Sequence, residues 1–252
     1  MDIWTDPAFD KSILGLAQAY GPYEFWTQNL QPGMNPDATW RGLLVVAALK
    51  DRQFAPNARN LLGNDDSRVR AWACFALAHL KDEAALEQIL ALREDPSRRV
   101  SFHARRAAQV ISGKPVPPGR PLYVHPRMGP ARLGELILIS DDAPEAGKRL
   151  AGALGAKGYR VTHTFTESET LAVALRFKPL AILTDNQKGR DNLSGLNLTW
   201  DVCRTPELRE TLLLMHSADL VEVAFLWNGG DWFIRKLARE DAGARIVEYL
   251  GG

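Results

Sequence analysis

The stretch PLAILTD, residues 179–185, decides how the second half of this chain folds. It is a short apolar run of strand length that ends at one carboxylate, Asp185. Similar apolar runs lie at residues 136–140, 212–215 and 232–234, with helix-like sequence between them. Short apolar strands that alternate with helices are typical of a parallel sheet covered by helices. The sequence therefore predicts an α/β domain in this half.

Polar side chains close or follow these apolar runs. Asp141 and Asp142 follow the first run, Asp185 ends the second, Ser217 follows the third and Lys236 follows the fourth. Ligands of parallel α/β domains bind at the carboxyl ends of the strands, so these side chains are expected to meet. Each has a plainer interpretation when taken alone, since paired aspartates often cap helices and a lone serine or lysine is often solvated surface. Their joint occurrence in this order favours one site.

These residue types suit the transfer of a phosphoryl group to a carboxylate. A carboxylate can accept the group covalently, and the charge that is transferred needs a metal ion and a cation to hold it. Asp141, Asp142 and Asp185 offer the oxygen ligands that Mg²⁺ favours. Lys236 would supply the cation, and Ser217 would offer a hydroxyl group to a phosphoryl oxygen.

Residues 134–252 resemble the receiver domain of two-component response regulators. The matching segments are LILISDD (136–142), ILTD (182–185), LMHSA (214–218) and GGDWFIRK (229–236). The resemblance implies a flavodoxin-like fold with a five-stranded parallel sheet. It also implies that Asp185 is the phospho-acceptor and that a histidine kinase or phosphotransfer protein is the partner. Such a domain is not an enzyme beyond phosphorylating itself from small donors and dephosphorylating itself.

The resemblance assigns roles to the other site residues as well. Mg²⁺ would be held by Asp142, Asp141, Asp185 and the backbone carbonyl of Gln187. Lys236 and Ser217 would stabilise the phosphoryl group, with Ser217 and Phe233 acting as the switch pair.

Two departures from the family pattern support an alternative function. Leu237 stands where the family usually has a proline after the lysine, and the segment 186–195 after the acceptor is slightly long and strongly polar. The alternative is a pseudo-receiver that is not phosphorylated and serves as a scaffold for protein interaction or dimerisation. A homodimer is therefore one further expectation for this chain.

The first half of the chain is helical and repetitive. The motifs DATWR (37–41), DSRVR (66–70) and DPSRR (95–99) recur with a step of 29 residues, and each leads into an alanine- and leucine-rich helix. Asp66 is suited to cap the helix that follows it. Helix pairs that repeat at this length predict an α-solenoid. The pattern resembles HEAT repeats, most closely in DSRVRAWA (66–73), and the preceding segment is interpreted as a helical cap.

Prolines and glycines interrupt the helical pattern after residue 112. The predicted organisation is a multidomain chain: a HEAT-like all-α domain at 1–112, a proline-rich linker at 113–133 and the receiver domain at 134–252. The helical half shows no catalytic constellation, which favours a protein-binding scaffold over an enzyme. The prediction is an atypical response regulator that signals through protein contacts of its HEAT-like domain.

The charge and composition of the chain limit the classes of partner that are expected. The chain has 31 basic and 30 acidic residues, so its balance gives no case for nucleic acid or an anionic membrane. Arg98, Arg99, Arg105 and Arg106 form a local basic patch, interpreted as a solvated face or a site for an acidic protein. The sequence shows no secretion signal and no apolar span, and both cysteines lie in helix-like segments. These features predict a cytoplasmic protein with reduced, buried thiols.

Overall fold

The computed structural model describes residues 3–4, 7–115, 135–186, 194–218, 221–236 and 242–250. The chain divides into two compact units, Met1–Tyr123 and Val124–Gly252. Most of the predicted linker, 113–133, lies outside the described residues, so the limits of the predicted domains stay a prediction.

The described part of the first unit is built from α-helices. They are α1 Pro7–Tyr20, α2 Tyr23–Thr27, α3 Pro36–Leu49, α4 Ala55–Asn60, α5 Ser67–His79, α6 Leu86–Ala91 and α7 Arg98–Ser112. Short 3-10 turns extend α4 and α6 at both ends. The long helices α3, α5 and α7 pack side by side and bury Trp40, Trp72, Phe75 and Val100. This is the helical solenoid expected from the sequence.

The solenoid repeats every 31 residues. Helices α3, α5 and α7 begin at residues 36, 67 and 98, and α4 and α6 begin at residues 55 and 86. Lys50 and Lys81, which follow α3 and α5, are also 31 residues apart, and both adopt left-handed backbone, with φ of 55° and 51°. The predicted step of 29 residues is therefore wrong.

The three aspartates that recur every 29 residues have different structural roles. The residues that precede α3, α5 and α7 are Asn35, Asp66 and Ser97. Asn35 accepts a hydrogen bond from the backbone N–H of Asp37, and Asp66 accepts one from that of Arg68. Asparagine, aspartate and serine are all favoured before a helix, so the structural repeat is kept although the residue type changes.

A bidentate ion pair joins the second repeat to the third. Nε and Nη2 of Arg70 lie 2.9 Å from Oδ2 and Oδ1 of Asp95. Nη1 of Arg70 also donates to the carbonyl of Asn64, at 2.8 Å, and Oδ1 of Asp95 accepts from the backbone N–H of Ser97. The side chains of Arg70 and Asp95 are only 14% and 6% exposed, so this pair is largely withdrawn from water.

The predicted basic patch on α7 is only partly exposed. Arg99 is 1% exposed, and its Nη1 donates to Oγ of Ser67 at 3.0 Å. Arg98, Arg105 and Arg106 are half-buried. Arg99 therefore belongs to the packing between repeats and not to a surface for an acidic partner.

The described part of the second unit contains a five-stranded parallel sheet. Its strands are β1 Leu136–Ser140, β2 Arg160–Thr164, β3 Ala181–Thr184, β4 Leu212–Ser217 and β5 Trp232–Arg235. Its helices are α8 Pro144–Gly155, α9 Glu167–Phe177, α10 Ser194–Arg204, α11 Glu222–Trp227 and α12 Ala242–Tyr249. The strand order is β2-β1-β3-β4-β5, the flavodoxin-like order. The predicted fold class is confirmed.

The two cysteines differ in burial, which corrects the prediction that both are buried. Cys74 lies inside α5 and is buried, whereas Cys203 in α10 is half-buried, and neither forms a disulfide. Burial, with a smaller effect of the Asp95 charge, raises the pKa of the Cys74 thiol.

We expect one fast-reacting thiol in the folded protein at neutral pH. The thiolate is the reactive form, and folding disfavours it at Cys74. An aromatic disulfide reagent should modify one cysteine before denaturation and both afterwards, and Cys203→Ser should abolish the fast reaction. Rapid modification of the folded Cys203→Ser variant would contradict this. Because the unfolded chain loses the Cys74 proton more readily, stability should fall as the pH rises above the usual thiol pKa of 9.0.

Candidate functional site

Three of the predicted site residues each follow directly after a strand. Asp141 follows β1, Asp185 follows β3 and Lys236 follows β5. Backbone hydrogen bonds continue the sheet past these strand ends. The N–H of Asp185 donates to the carbonyl of Ser140 at 3.0 Å, and the N–H of Lys236 donates to the carbonyl of Ser217 at 2.9 Å. The parallel sheet therefore holds all three residues at its carboxyl edge.

The ammonium group of Lys236 joins the two carboxylates. Nζ of Lys236 lies 2.6 Å from Oδ2 of Asp185 and 3.6 Å from Oδ2 of Asp141. The side chains of Asp185 and Asp141 are 13% and 4% exposed, while that of Lys236 is 28% exposed. A cation thus stands between two carboxylates that would otherwise repel each other in a mostly buried place.

The second oxygen of each carboxylate is held by backbone. Oδ1 of Asp185 accepts from the N–H of Asn186 at 2.7 Å, and Oδ1 of Asp141 accepts from the N–H of Ala143 at 2.8 Å. These bonds fix the rotation of the two side chains and direct both Oδ2 atoms to Lys236. The carboxylates are therefore oriented before any ligand arrives.

The remaining predicted metal ligands are placed differently. Asp142 is exposed, and the ion pairs of Lys236 in the described structure are with Asp141 and Asp185. Gln187, whose carbonyl is a predicted ligand, lies outside the described residues. Among the residues that the structure describes, no three His, Cys, Asp or Glu side chains are grouped closely enough to hold a metal ion.

The donor set nevertheless fits magnesium. Mg²⁺ commonly binds proteins through one or two carboxylates and fills its other positions with waters and phosphate oxygens. The Asp141 and Asp185 pair, which shares one cation, provides such carboxylates. Its neighbour Asp142 has the solvent access that a further ligand would need.

Ser217 and Phe233 lie on the neighbouring strands β4 and β5. Ser217 is the last residue of β4, is 1% exposed and pairs with Arg235 of β5. Phe233 is 7% exposed, and its ring centroid lies 6.3 Å from that of Phe225 at an angle of 60°. Phe233 is therefore a core residue in this structure, and its proposed switching role requires its ring to leave or change this packing.

His163 of β2 contacts the site and was not predicted to do so. Its Nε2 lies 2.6 Å from the backbone carbonyl of Asp141. A carbonyl oxygen only accepts hydrogen bonds, so Nε2 carries the hydrogen and donates it. A Cβ on Gly147 of α8 would overlap the imidazole, so this glycine leaves room for the ring. The only sequence signal was a histidine in a polar, strand-like segment.

Gly195 brings a helix close to Asp185. It is the second residue of α10, and its N–H donates to the carbonyl of Asn186 at 3.2 Å. A Cβ at this position would overlap the backbone carbonyl of Asp185. Any side chain larger than hydrogen here would displace the backbone that carries the Asp185 carboxylate.

Comparisons with known proteins agree with the two-part organisation. Residues 23–109 match the family model of HEAT repeats. No curated protein sequence matches the chain. None of the described helices is long and apolar enough to cross a membrane.

Solved structures of response regulators are similar to the C-terminal half. The chemotaxis response regulator CheY4 of Vibrio cholerae is 17% identical, with a TM-score of 0.42, over 46% of this chain and 98% of its own. The receiver domain of Klebsiella pneumoniae RstA is 22% identical, with a TM-score of 0.40, over 47% of this chain and 100% of its own. A response regulator from Thermotoga maritima is 20% identical, with a TM-score of 0.41, over 48% of this chain and 100% of its own.

The described structure has two parts of different fold class. One part is a helical region that matches the HEAT-repeat model over residues 23–109, and the other is a domain with the flavodoxin-like strand order.

Proposed function

We propose that this protein is an atypical response regulator whose receiver domain is phosphorylated on Asp185. The observation that carries the proposal is the contact of the Lys236 ammonium with both Asp185 and Asp141. It unites an acceptor carboxylate, a second acid and a cation at the edge of the sheet where α/β domains bind ligands.

The reaction would follow from this arrangement. An oxygen of the Asp185 carboxylate attacks phosphorus, the bond from phosphorus to the donor breaks, and the leaving group keeps the electron pair. Lys236 then pairs with the phosphoryl oxygens in place of the free carboxylate. Mg²⁺, held by Asp141 and Asp185 with Asp142 and the Gln187 carbonyl, would supply charge neutralisation at those oxygens. Ser217 would offer its hydroxyl to the same group, and the packing of Phe233 would change with it.

The physiological donor would be a histidine kinase or phosphotransfer protein, and the product a phosphorylated signalling protein in the cytoplasm. Signalling would pass through protein contacts of the HEAT repeats, since solenoids offer extended binding surfaces. The protein would have no catalytic activity beyond its own phosphorylation and dephosphorylation, and a homodimer is a further proposal of the same kind.

A second candidate is a pseudo-receiver scaffold that is never phosphorylated. It is favoured by the ion pairs of Lys236, which within the described residues join Asp141 and Asp185 and do not include Asp142. Leu237, the other departure from the receiver pattern, lies outside the described residues.

Intact mass spectrometry separates the two candidates. With Mg²⁺ and acetyl phosphate, we expect the addition of one phosphoryl group, because Asp185 is oriented and paired with its cation. The addition should require Mg²⁺ and should be absent from Asp185→Asn, which keeps the size of the side chain. An unmodified wild-type protein under conditions that phosphorylate a known receiver would support the scaffold instead.

A further inference from the structure

Arg68, in the first turn of α5, is a buried cation without a partner among the residues that the structure describes. It is 4% exposed, and its Nε is fully buried and makes no hydrogen bond. Within the described residues, its side chain takes part in no hydrogen bond or ion pair. Arginine offers five N–H donors and is always charged, so its burial without compensation is costly. Such a residue indicates a place where an anion is expected.

Two buried indole groups, one of them on the helix face of Arg68, also have an N–H without a partner among the described residues. Trp72 lies one turn later on the same helix face, and its ring stacks on that of Trp40 of α3 with centroids 6.5 Å apart. Trp72 and Trp40 are 1% and 0% exposed, and the Nε1 of each is buried without a hydrogen-bond partner. Guanidinium and indole N–H groups only donate hydrogen bonds. Within the described residues, none of these three buried N–H groups has an acceptor.

In the next repeat, the equivalent arginine has a hydrogen-bond acceptor. Arg99 lies 31 residues after Arg68, at the equivalent position of α7. It is 1% exposed, and its Nη1 donates to Oγ of Ser67 at 3.0 Å. The solenoid thus provides an acceptor for Arg99 and none, among the described residues, for Arg68. The difference sets Arg68 apart from the equivalent arginine of the next repeat.

We propose that Arg68, Trp72 and Trp40, the donor cluster, bind a carboxylate of a partner peptide. A planar carboxylate matches the fork of a guanidinium and accepts further hydrogen bonds from indole N–H groups. The carboxylate comes from an aspartate or glutamate side chain or from a C-terminus, which share this chemistry. The inference rests on the proposed role of the HEAT repeats in protein binding, but it is independent of phosphorylation at Asp185.

Acetate is a suitable first probe, with the full chain and with chloride at equal ionic strength as reference. We expect acetate to move the indole N–H resonances of Trp40 and Trp72, assigned with Trp40→Phe and Trp72→Phe, and to raise the thermal midpoint. Arg68→Met should abolish both responses. Because it removes an uncompensated charge, Arg68→Met should also raise the midpoint without acetate by about 2–4 °C.

Arg99→Met is the matched control. It removes an arginine of similar burial that has an acceptor, so it should lower the midpoint and keep the acetate response. The proposal is overturned if Arg68→Met lowers the midpoint as much as Arg99→Met does, or if acetate moves the indole resonances equally in Arg68→Met. Asp185→Asn should respond to acetate like wild type, which separates this test from that of phosphorylation.

Two peptides then identify the source of the carboxylate. One contains glutamate and has an amidated C-terminus, and the other contains only neutral residues and has a free C-terminus. Indole shifts with the first peptide indicate side-chain recognition, and shifts with the second indicate C-terminal recognition. The absence of shifts with both would overturn the assignment to a peptide.

Discussion

Replacing Lys236 by methionine is expected to slow phosphoryl uptake from acetyl phosphate by about 10²–10³-fold, the usual effect of removing one group that stabilises developing charge. Nζ of Lys236 is the cation that contacts both Asp185 and Asp141. Without it, the incoming phosphoryl group meets two carboxylates whose charge only Mg²⁺ can offset. The rate is measured by intact mass against time at saturating Mg²⁺.

Lys148→Met is the matched control for this prediction. Lys148 belongs to the same unit but is exposed, and its ion pair with Glu145, at 3.0 Å, is a surface pair. We expect the Lys148→Met variant to take up the phosphoryl group at the wild-type rate. If Lys236→Met did the same, Lys236 would be a structural lysine and the proposed chemistry would lose its cation.

Replacing Asp95 by alanine is expected to lower the opening free energy of the helical unit by about 3–5 kcal/mol, the cost of breaking a buried pair from one side. The change leaves the Arg70 guanidinium, 14% exposed, without its bidentate partner. It also removes the acceptor for the backbone N–H of Ser97 at the start of α7. Hydrogen exchange of α5 and α7 amides reports on this unit separately from the receiver unit.

Asp82→Ala provides the comparison. Asp82 pairs with Arg59 of the neighbouring repeat at 3.3 Å, with side chains 15% and 30% exposed, through one guanidinium nitrogen. We expect a loss of about 1 kcal/mol or less for such a pair. Equal effects of Asp95→Ala and Asp82→Ala would show that the Arg70 and Asp95 pair has no special part in joining the repeats.

The receiver half was largely predictable because four of its five described strands are largely apolar runs. The run that ends at Asp185 became β3, and the residue after each of β1, β3 and β5 lies at one edge, as parallel strands require. The partner of Lys236 follows from that topology. The contact of His163 with the carbonyl of Asp141 does not, because β2 is a largely polar edge strand whose register no apolar pattern fixes.

The helical half was predictable in type but not in register. Asp37, Asp66 and Asp95 suggested a step of 29 residues, yet only Asp66 directly precedes a helix. Asp95 instead binds Arg70 across the repeats. A residue type that serves both as a cap and as an ion-pair partner cannot define a repeat by itself. The burial of Arg68 and Arg99 could not be predicted from the sequence either, since arginine is usually a surface residue.

The central claim is that Asp185 receives the phosphoryl group, and the most direct test is to locate that group. Reduction of an acyl phosphate by borohydride converts the modified aspartate into homoserine, which peptide mass spectrometry assigns to one position. After treatment with Mg²⁺ and acetyl phosphate, we predict homoserine at position 185 and at no other aspartate. Homoserine at another position, or none in a protein that binds Mg²⁺, would contradict the account.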